Sequence, residues 1–230
     1  MNIVVPLAGP DFVSPDGRVK ALTEFNGEPL LRAVLKSRLW AGSITDDKYT
    51  FVLQDTEATR HFWRECLLDW YPRSRAVFLS HPTRGAALSA IAGLSEIVDL
   101  SAPLAVDLGD IYYHLECEPE DFLHSAETSG AVVLAFESNN PSYSYFALDA
   151  DGNVLRAAEK SVISNHASAG TYVFRSGGTY AAAVAHAVAN EREQTYNGLF
   201  YVCPLINGVL AQGSQVKMLD VTNVIDVKNT

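Results

Sequence analysis

Cysteine and positive charge are both scarce in this sequence of 230 residues, and each scarcity removes a class of function. The three cysteines, Cys66, Cys117 and Cys203, lie far apart and have no Cys-x-x-Cys or Cys/His spacing, which excludes a zinc site and leaves reduced, ordinary thiols. Lysine and arginine number 17 against 27 acidic residues, a formal net charge of -10, so there is no broad basic field for nucleic acid or an acidic membrane surface. An anionic ligand must be held locally, by a few cations, by backbone N–H groups or by a metal ion. No apolar run approaches the length that spans a bilayer, and the opening MNIVVPLAG has no basic leader region and is broken by Pro6. The expectation is a cytoplasmic protein that stays where it is made, with no membrane or nucleic-acid partner.

What is present is a core. Hydrophobic residues make up 48% of the chain, enough for one large α/β domain over residues 1–230. Strand-length apolar runs (NIVVPLA, YTFVLQ, AVFLS, PLAVDLGD, AVVLAF) alternate with helix-period stretches (PLLRAVLKSRLW, TEATRHFWRECLLDW, GAALSAIAGLSEI, EPEDFLHSAETSG). That rhythm predicts a Rossmann-like, doubly wound, mostly parallel mixed sheet with helices on both faces. From about Tyr143 the rhythm changes to two strands joined by a turn through Asp151 and Gly152, then a strand in ASAGTYVFRS, helices in TYAAAVAHAVAN and YVCPLINGVLAQG, and a last strand in QVKMLDV. A substrate-side segment is expected around residues 137–175. In open sheets of this kind the ligand lies outside the carboxyl ends of the strands, so the loops after NIVVPLA, AVFLS and PLAVDLGD should share one crevice.

Those loops carry the residues of interest. The first, LAGPDFVSPDGRVKAL, is poor in glycine: Gly9 permits a tight turn, but Pro10 and Pro15 remove two N–H donors, so phosphate binding there must rest on Arg18 and Lys20. Solvated loop charges are the plain alternative for both cations. In HPTRGAALSA, Gly85 turns the chain into a helix whose N–H groups face the crevice, and Ala86 and Ala87 let a flat ring approach; N-capping by Thr83 with close helix–sheet packing accounts for the same residues equally well. Asp110 ends an apolar strand behind Gly109, where a carboxylate can hold Mg2+, while Asp107 falls on the opposite side of the same strand. Glu159 and Lys160 follow a later strand with His166 and Gly170 close behind; an exposed ion pair is the usual meaning of such a dipeptide.

Taken in order, NIVVPLAG, the Lys20-Ala21-Leu22 triplet, FNGEPLL, TRGAALSA, PLAVDLGD, AEKSVISNHASAGTYVF and NGLFYVCPLINGVLAQG resemble the sugar-phosphate nucleotidyltransferase family, in particular its small bacterial members associated with capsule and surface-polysaccharide synthesis. The resemblance covers essentially the whole chain. It implies joining an NTP to a sugar 1-phosphate or similar small phosphorylated acceptor with release of pyrophosphate, and Mg2+ as cofactor. It further implies that Lys20, with Arg18 nearby, meets phosphate during transfer, that Leu7, Ala8, Gly9, Thr83, Gly85 and Ala86 surround the nucleotide, that Asp110 binds metal, and that Glu159, Lys160 and Gly170 lie near the acceptor. Asp220 and Asp226 are candidates for a second metal carboxylate, of which Asp226 is preferred. The chain departs from the family where Gly-x-Gly and an arginine are usual, having GPDFVSPDGRVK with Asp11 near the triphosphate. Two rivals follow: a nucleotide or nucleotide-sugar binding protein of the same fold without catalysis, and a glycosyltransferase of related architecture, which would need an Asp-x-Asp pair. Tyr112, Tyr113 and the last helix are candidates for a homo-oligomer contact.

Overall fold

Runs of Val, Ile, Leu and aromatic residues with turn residues at either end become the strands, and the 3.6-period stretches between them become the covering helices. In the computed structural model, which describes residues 1–226, the first half alternates as the pattern predicts: β1 (Asn2–Pro6), α1 (Leu30–Lys36), β2 (Tyr49–Gln54), α2 (Glu57–Phe62), β3 (Arg75–Leu79), α3 (Ala86–Gly93) and β4 (Leu104–Asp107). Thereafter come β5 (Ile111–His114), α4 (Pro119–Thr128), β6 (Ala131–Glu137), β7 (Tyr145–Leu148), β8 (Val154–Ala158), β9 (His166–Phe174), α5 (Gly177–Ala189), α6 (Leu205–Ala211), β10 (Val216–Asp220) and β11 (Thr222–Asp226).

β1 lies at the centre of a nine-stranded sheet, parallel to β2 on one side and to β4 on the other, with β3 parallel to β2 at the edge. β9 runs antiparallel between β4 and β6, and β10 closes the far edge parallel to β6. The β7–β8 hairpin joins through a single register pair, Tyr145 opposite Ala167. The carboxyl ends of β1 and β4 are therefore adjacent, and the loops that follow them leave the same edge.

The period of two along each strand sorts side chains onto two faces. Val4, Val52, Val106, Val133 and Phe174 meet α3, α5 and α6, while Ile3, Val5, Phe51, Val132, Leu134 and Val173 meet α1, α2 and α4. The sheet is thus doubly wound and Rossmann-like. Among the described residues no helix is long and apolar enough to cross a membrane.

The structure corrects the sequence reading at four places. α1 ends at Lys36 rather than continuing to Trp40, because the Ser37 hydroxyl turns back to the Val34 carbonyl and Arg38 leaves the helix for a buried partner. α6 starts only after Pro204. Residues after Asp110 are not simply a loop: β5 pairs antiparallel with β11 as a separate two-stranded ribbon, which local pattern does not reveal because the partners are distant in the chain. Tyr113, expected as a candidate for self-association, is 1% exposed and belongs to the core.

Candidate functional site

Leu7 and Ala8 continue β1 without leaving the core: both are buried, the Leu7 N–H donates to the Val52 carbonyl, and the Gln54 amide donates to the Ala8 carbonyl. Gly9 then begins a turn closed by the Phe12 N–H on its carbonyl at 3.1 Å. Beyond it the chain forms a small hairpin in which Val13 faces Val19 and Gly17, at φ +84°, makes the reversal. Each cation of this loop meets a carboxylate of the same loop. Arg18 Nε lies 2.6 Å from Asp16 at the exposed tip, and Ser14 and Arg18 together hold the Asp16 carboxyl below its ordinary value. Lys20 Nζ lies 2.9 Å from Asp11 Oδ2, and the other Asp11 oxygen sits over Gly9, 3.2 Å from where a Cβ would stand. The backbone is closed by the Lys20 N–H on the Phe12 carbonyl.

The next loop holds Asp110. The strand ends at Asp107 rather than at Asp110, so the two acids diverge through a turn and not through strand alternation: Asp107 is fully buried and paired with Arg38, whereas Asp110 turns towards β9 after Gly109, which adopts φ +66°. Its neighbour there is Gly170, at φ +75° in an irregular stretch of β9, where any Cβ would stand 2.8 Å from Asp110 Oδ1. The Leu108 N–H donates to the Gly170 carbonyl, tying the two segments together. Asp226 arrives from the other end of the sequence: in the β5–β11 ribbon it is opposite Ile111, the residue after Asp110. The Tyr143 hydroxyl donates to Asp226 at 2.7 Å. Burial, the Asp226 acceptor and its charge, with a smaller contribution from Asp110, push that phenol well above its usual range. Among the described residues no group of three or more His, Cys, Asp and Glu side chains converges as a metal cage. Two carboxylates on neighbouring backbone positions are donors of the type Mg2+ takes, since that ion keeps waters and accepts substrate phosphates.

At the start of α3, Gly85 itself is the N-cap, at φ +111°, and Thr83 does not cap the helix. The Thr83 hydroxyl donates to the Gly85 carbonyl at 3.1 Å and lies 2.6 Å from the Ser89 hydroxyl. A strap from the NGLFYV stretch crosses this turn. The Phe200 N–H donates to the Arg84 carbonyl and the Phe200 carbonyl accepts from the Ala87 N–H, so one helix-terminal donor is already engaged. A Cβ at Gly85 would collide with the Phe200 carbonyl and stand 2.8 Å from its nitrogen. Glycine is required here by close backbone approach as well as by φ.

The same strap reaches the Glu159–Lys160 pair. Lys160, at φ +47°, places Nζ 5.4 Å from the Tyr196 ring centre and 5.5 Å from that of Tyr201, a cation–π arrangement. Glu159 accepts the Ser144 hydroxyl at 2.5 Å. Burial, then Cys203, Glu159 and more weakly Asp110 raise the Tyr172 phenol, which accepts the Ser168 hydroxyl at 2.7 Å. A groove of about 500 Å³ beside Glu159 is lined by Arg156, Ser161, Tyr196 and Asn207.

The structure therefore brings Asp110, Asp226 and Gly170 into one neighbourhood and sets Glu159 against Ser144. Lys20 stands on the loop after the adjacent strand, and Arg18 stands at that loop's tip. Tyr143, Ser144 and Arg38 were not singled out by sequence reasoning. Tyr143 had a signal in the aromatic run YSYF, but its partner lies far away in sequence. Asp220, the other candidate carboxylate, ends β10 opposite Ala135, just before the ribbon strand begins and at the other end of it from Asp226.

No protein-family model matches the sequence, and no curated protein matches it. Solved structures do resemble it. The nucleoside-diphosphate-sugar pyrophosphorylase of Vibrio cholerae RC9 superposes with a TM-score of 0.81 at 22% identity, over 99% of this chain and 95% of that one. A Bacillus anthracis protein assigned as a glucose-1-phosphate thymidylyltransferase, in complex with sucrose, gives 0.73 at 14% identity over 98% and 89%. The inositol-1-phosphate CTP transferase of T. maritima gives 0.66 at 14% over 97% and 86%. At these identities the likeness establishes the shared fold.

Proposed function

We propose that this chain is a Mg2+-dependent nucleotidyltransferase that joins a nucleoside triphosphate to a sugar 1-phosphate or a similar small phosphorylated acceptor and releases pyrophosphate. One observation supports the reading: Asp226, from the far end of the sequence, stands opposite Ile111, the residue after Asp110, and both acids act on the Tyr143 phenol, beside the strand whose loop bears Lys20. That all three named neighbours are nucleotidyltransferases or pyrophosphorylases supports the same class.

The chemistry is in-line displacement. An acceptor phosphate oxygen attacks the α-phosphorus, the bond to the β-phosphate bridge breaks, and pyrophosphate leaves with increased charge. No general base is needed, because the attacking phosphate is already ionised. Asp110 and Asp226 would hold Mg2+, which supplies charge neutralisation between the two repelling anions. Lys20, swinging from Asp11, adds a second positive charge where phosphate charge grows. The Leu7–Gly9 backbone and the Gly85–Ala86 turn bound the nucleoside side, with Thr83 bracing that turn. Glu159 can accept an acceptor hydroxyl, and Lys160 can meet its phosphate. We take the reaction to be cytoplasmic and its product to serve surface-polysaccharide assembly. The glycosyltransferase reading loses ground because Asp107, the acid nearest Asp110 in the sequence, is committed to Arg38.

The test is pyrophosphate release from CTP, UTP, dTTP, ATP and GTP with Mg2+ and a mixture of sugar 1-phosphates and other small phosphates. The expected result is release supported by one nucleotide and reduced on the order of a hundredfold in Lys20→Ala. Nucleotide binding without release from any pair would instead identify a binding protein.

A further inference from the structure

Among the described residues the most deeply buried ion pair belongs to the segment that leads into Asp110. Arg38 and Asp107 have side chains 1% and 0% exposed and form a two-pronged pair, Nε to Oδ2 at 2.6 Å and Nη2 to Oδ1 at 2.9 Å. A buried ion pair contributes little net stability, and apolar residues of similar volume commonly replace one without loss. Stability of the fold therefore does not explain its presence. Its connections do.

From this pair, two routes lead to Asp110. Along the chain, Asp107 Oδ1 also accepts the Gly109 N–H at 3.0 Å, holding the left-handed residue that redirects the backbone into Asp110. Across the sheet, the Arg38 guanidinium lies 4.0 Å from the Tyr113 ring centre, and the Tyr113 hydroxyl donates to Thr171 Oγ1 at 2.8 Å. Thr171 stands opposite Asp107 in the β4–β9 register and directly follows Gly170, the residue packed against the Asp110 carboxylate. Burial acts against the Arg38 charge, but Asp107, with Tyr113 and Asp110 adding to it, outweighs burial and keeps the guanidinium protonated.

We infer that Arg38 and Asp107 are positioning residues that fix the place of the Asp110 carboxylate, from below through Gly109 and from the side through Tyr113, Thr171 and Gly170. This rests on the reading of Asp110 as a metal ligand. The pair touches neither nucleotide nor acceptor, and it acts by removing the freedom of a carboxylate that must meet a small, geometrically demanding ion.

Mn2+ binding to the full chain, followed by electron paramagnetic resonance, tests this without reference to turnover. The double variant Arg38→Met/Asp107→Leu is expected to fold with an unfolding midpoint at or above that of the wild type and to bind Mn2+ about tenfold more weakly or worse. Arg38→Lys, which keeps the charge and loses the fork, is expected to fall between the two. A folded double variant whose Mn2+ affinity stays within twofold of wild type would overturn the inference. Failure of both variants to fold would also overturn it, since the pair would then be a prop of the fold. A wild type that binds no Mn2+, or an Asp110→Asn variant that binds it equally well, would sink the metal reading itself and this inference with it.

Discussion

A carboxylate beside a phosphate-seeking lysine either competes with the phosphate or gives way to it, and Asp11 is in that position. Its contact with Lys20 is exposed on both sides, with side-chain accessibilities of 80% and 55%, so the pair is weak and water-screened. On the proposed function, nucleotide arriving at Lys20 displaces Asp11 and then sits near its charge. Asp11→Asn is accordingly expected to lower the KM for nucleotide about threefold and leave kcat unchanged, the change shrinking at high salt. A higher KM would show that Asp11 assists binding. Lys20, Asp110 and the oddity of Asp11 were all legible in the sequence as residue types in suspicious loops. The Asp11–Lys20 contact was not, because it depends on a turn closed by the Phe12 carbonyl and Lys20 N–H, which composition does not encode.

Among elements, the strap through Phe200 binds together two regions that sequence reading kept apart. It pairs with the backbone on both sides of Gly85 and presents Tyr196 and Tyr201 to Lys160. Gly85→Ala would force a Cβ into the Phe200 backbone at a φ that L residues avoid, and should cost about 2 kcal/mol or more, read as a lower urea midpoint. An unchanged midpoint would mean that the strap yields easily. The elements that sequence located well are those whose period repeats over a full strand or several helical turns. The β5–β11 ribbon was missed for the opposite reason: four and five residues of alternation are too few, the pairing is long-range, and a register irregularity lies between Thr222 and Ile225. Of the two candidate metal carboxylates, Asp110 could be chosen from its place after an apolar strand, whereas Asp226 had to be chosen against Asp220 without knowledge of the ribbon.

For the molecule as a whole, the core is rich in groups that can ionise only outside it. Burial raises the phenols of Tyr49, Tyr71, Tyr113, Tyr172 and Tyr180 and the thiol of Cys203 above their ordinary values. Once unfolded, these phenols titrate near a pKa of about 10 and the thiol near about 8.5. The folded form therefore binds more protons at alkaline pH, and stability is fully present below the unfolded values and lost as pH rises beyond them. The urea midpoint should hold steady up to about pH 8 and fall distinctly by about pH 10.5. A flat profile across that window would contradict the burial of these groups.

The ribbon has one more consequence, which concerns manufacture. β11 carries Asp226 and is the last element described, while every other group placed at the site lies in or before the strap. A chain leaving the ribosome begins to fold from its N-terminal side. Most of the sheet and the loop with Lys20 can thus assemble while one of the two carboxylates is still untranslated. On the proposed function, a chain without the ribbon would lack Asp226 and with it part of the site, so the ribbon and the site form together.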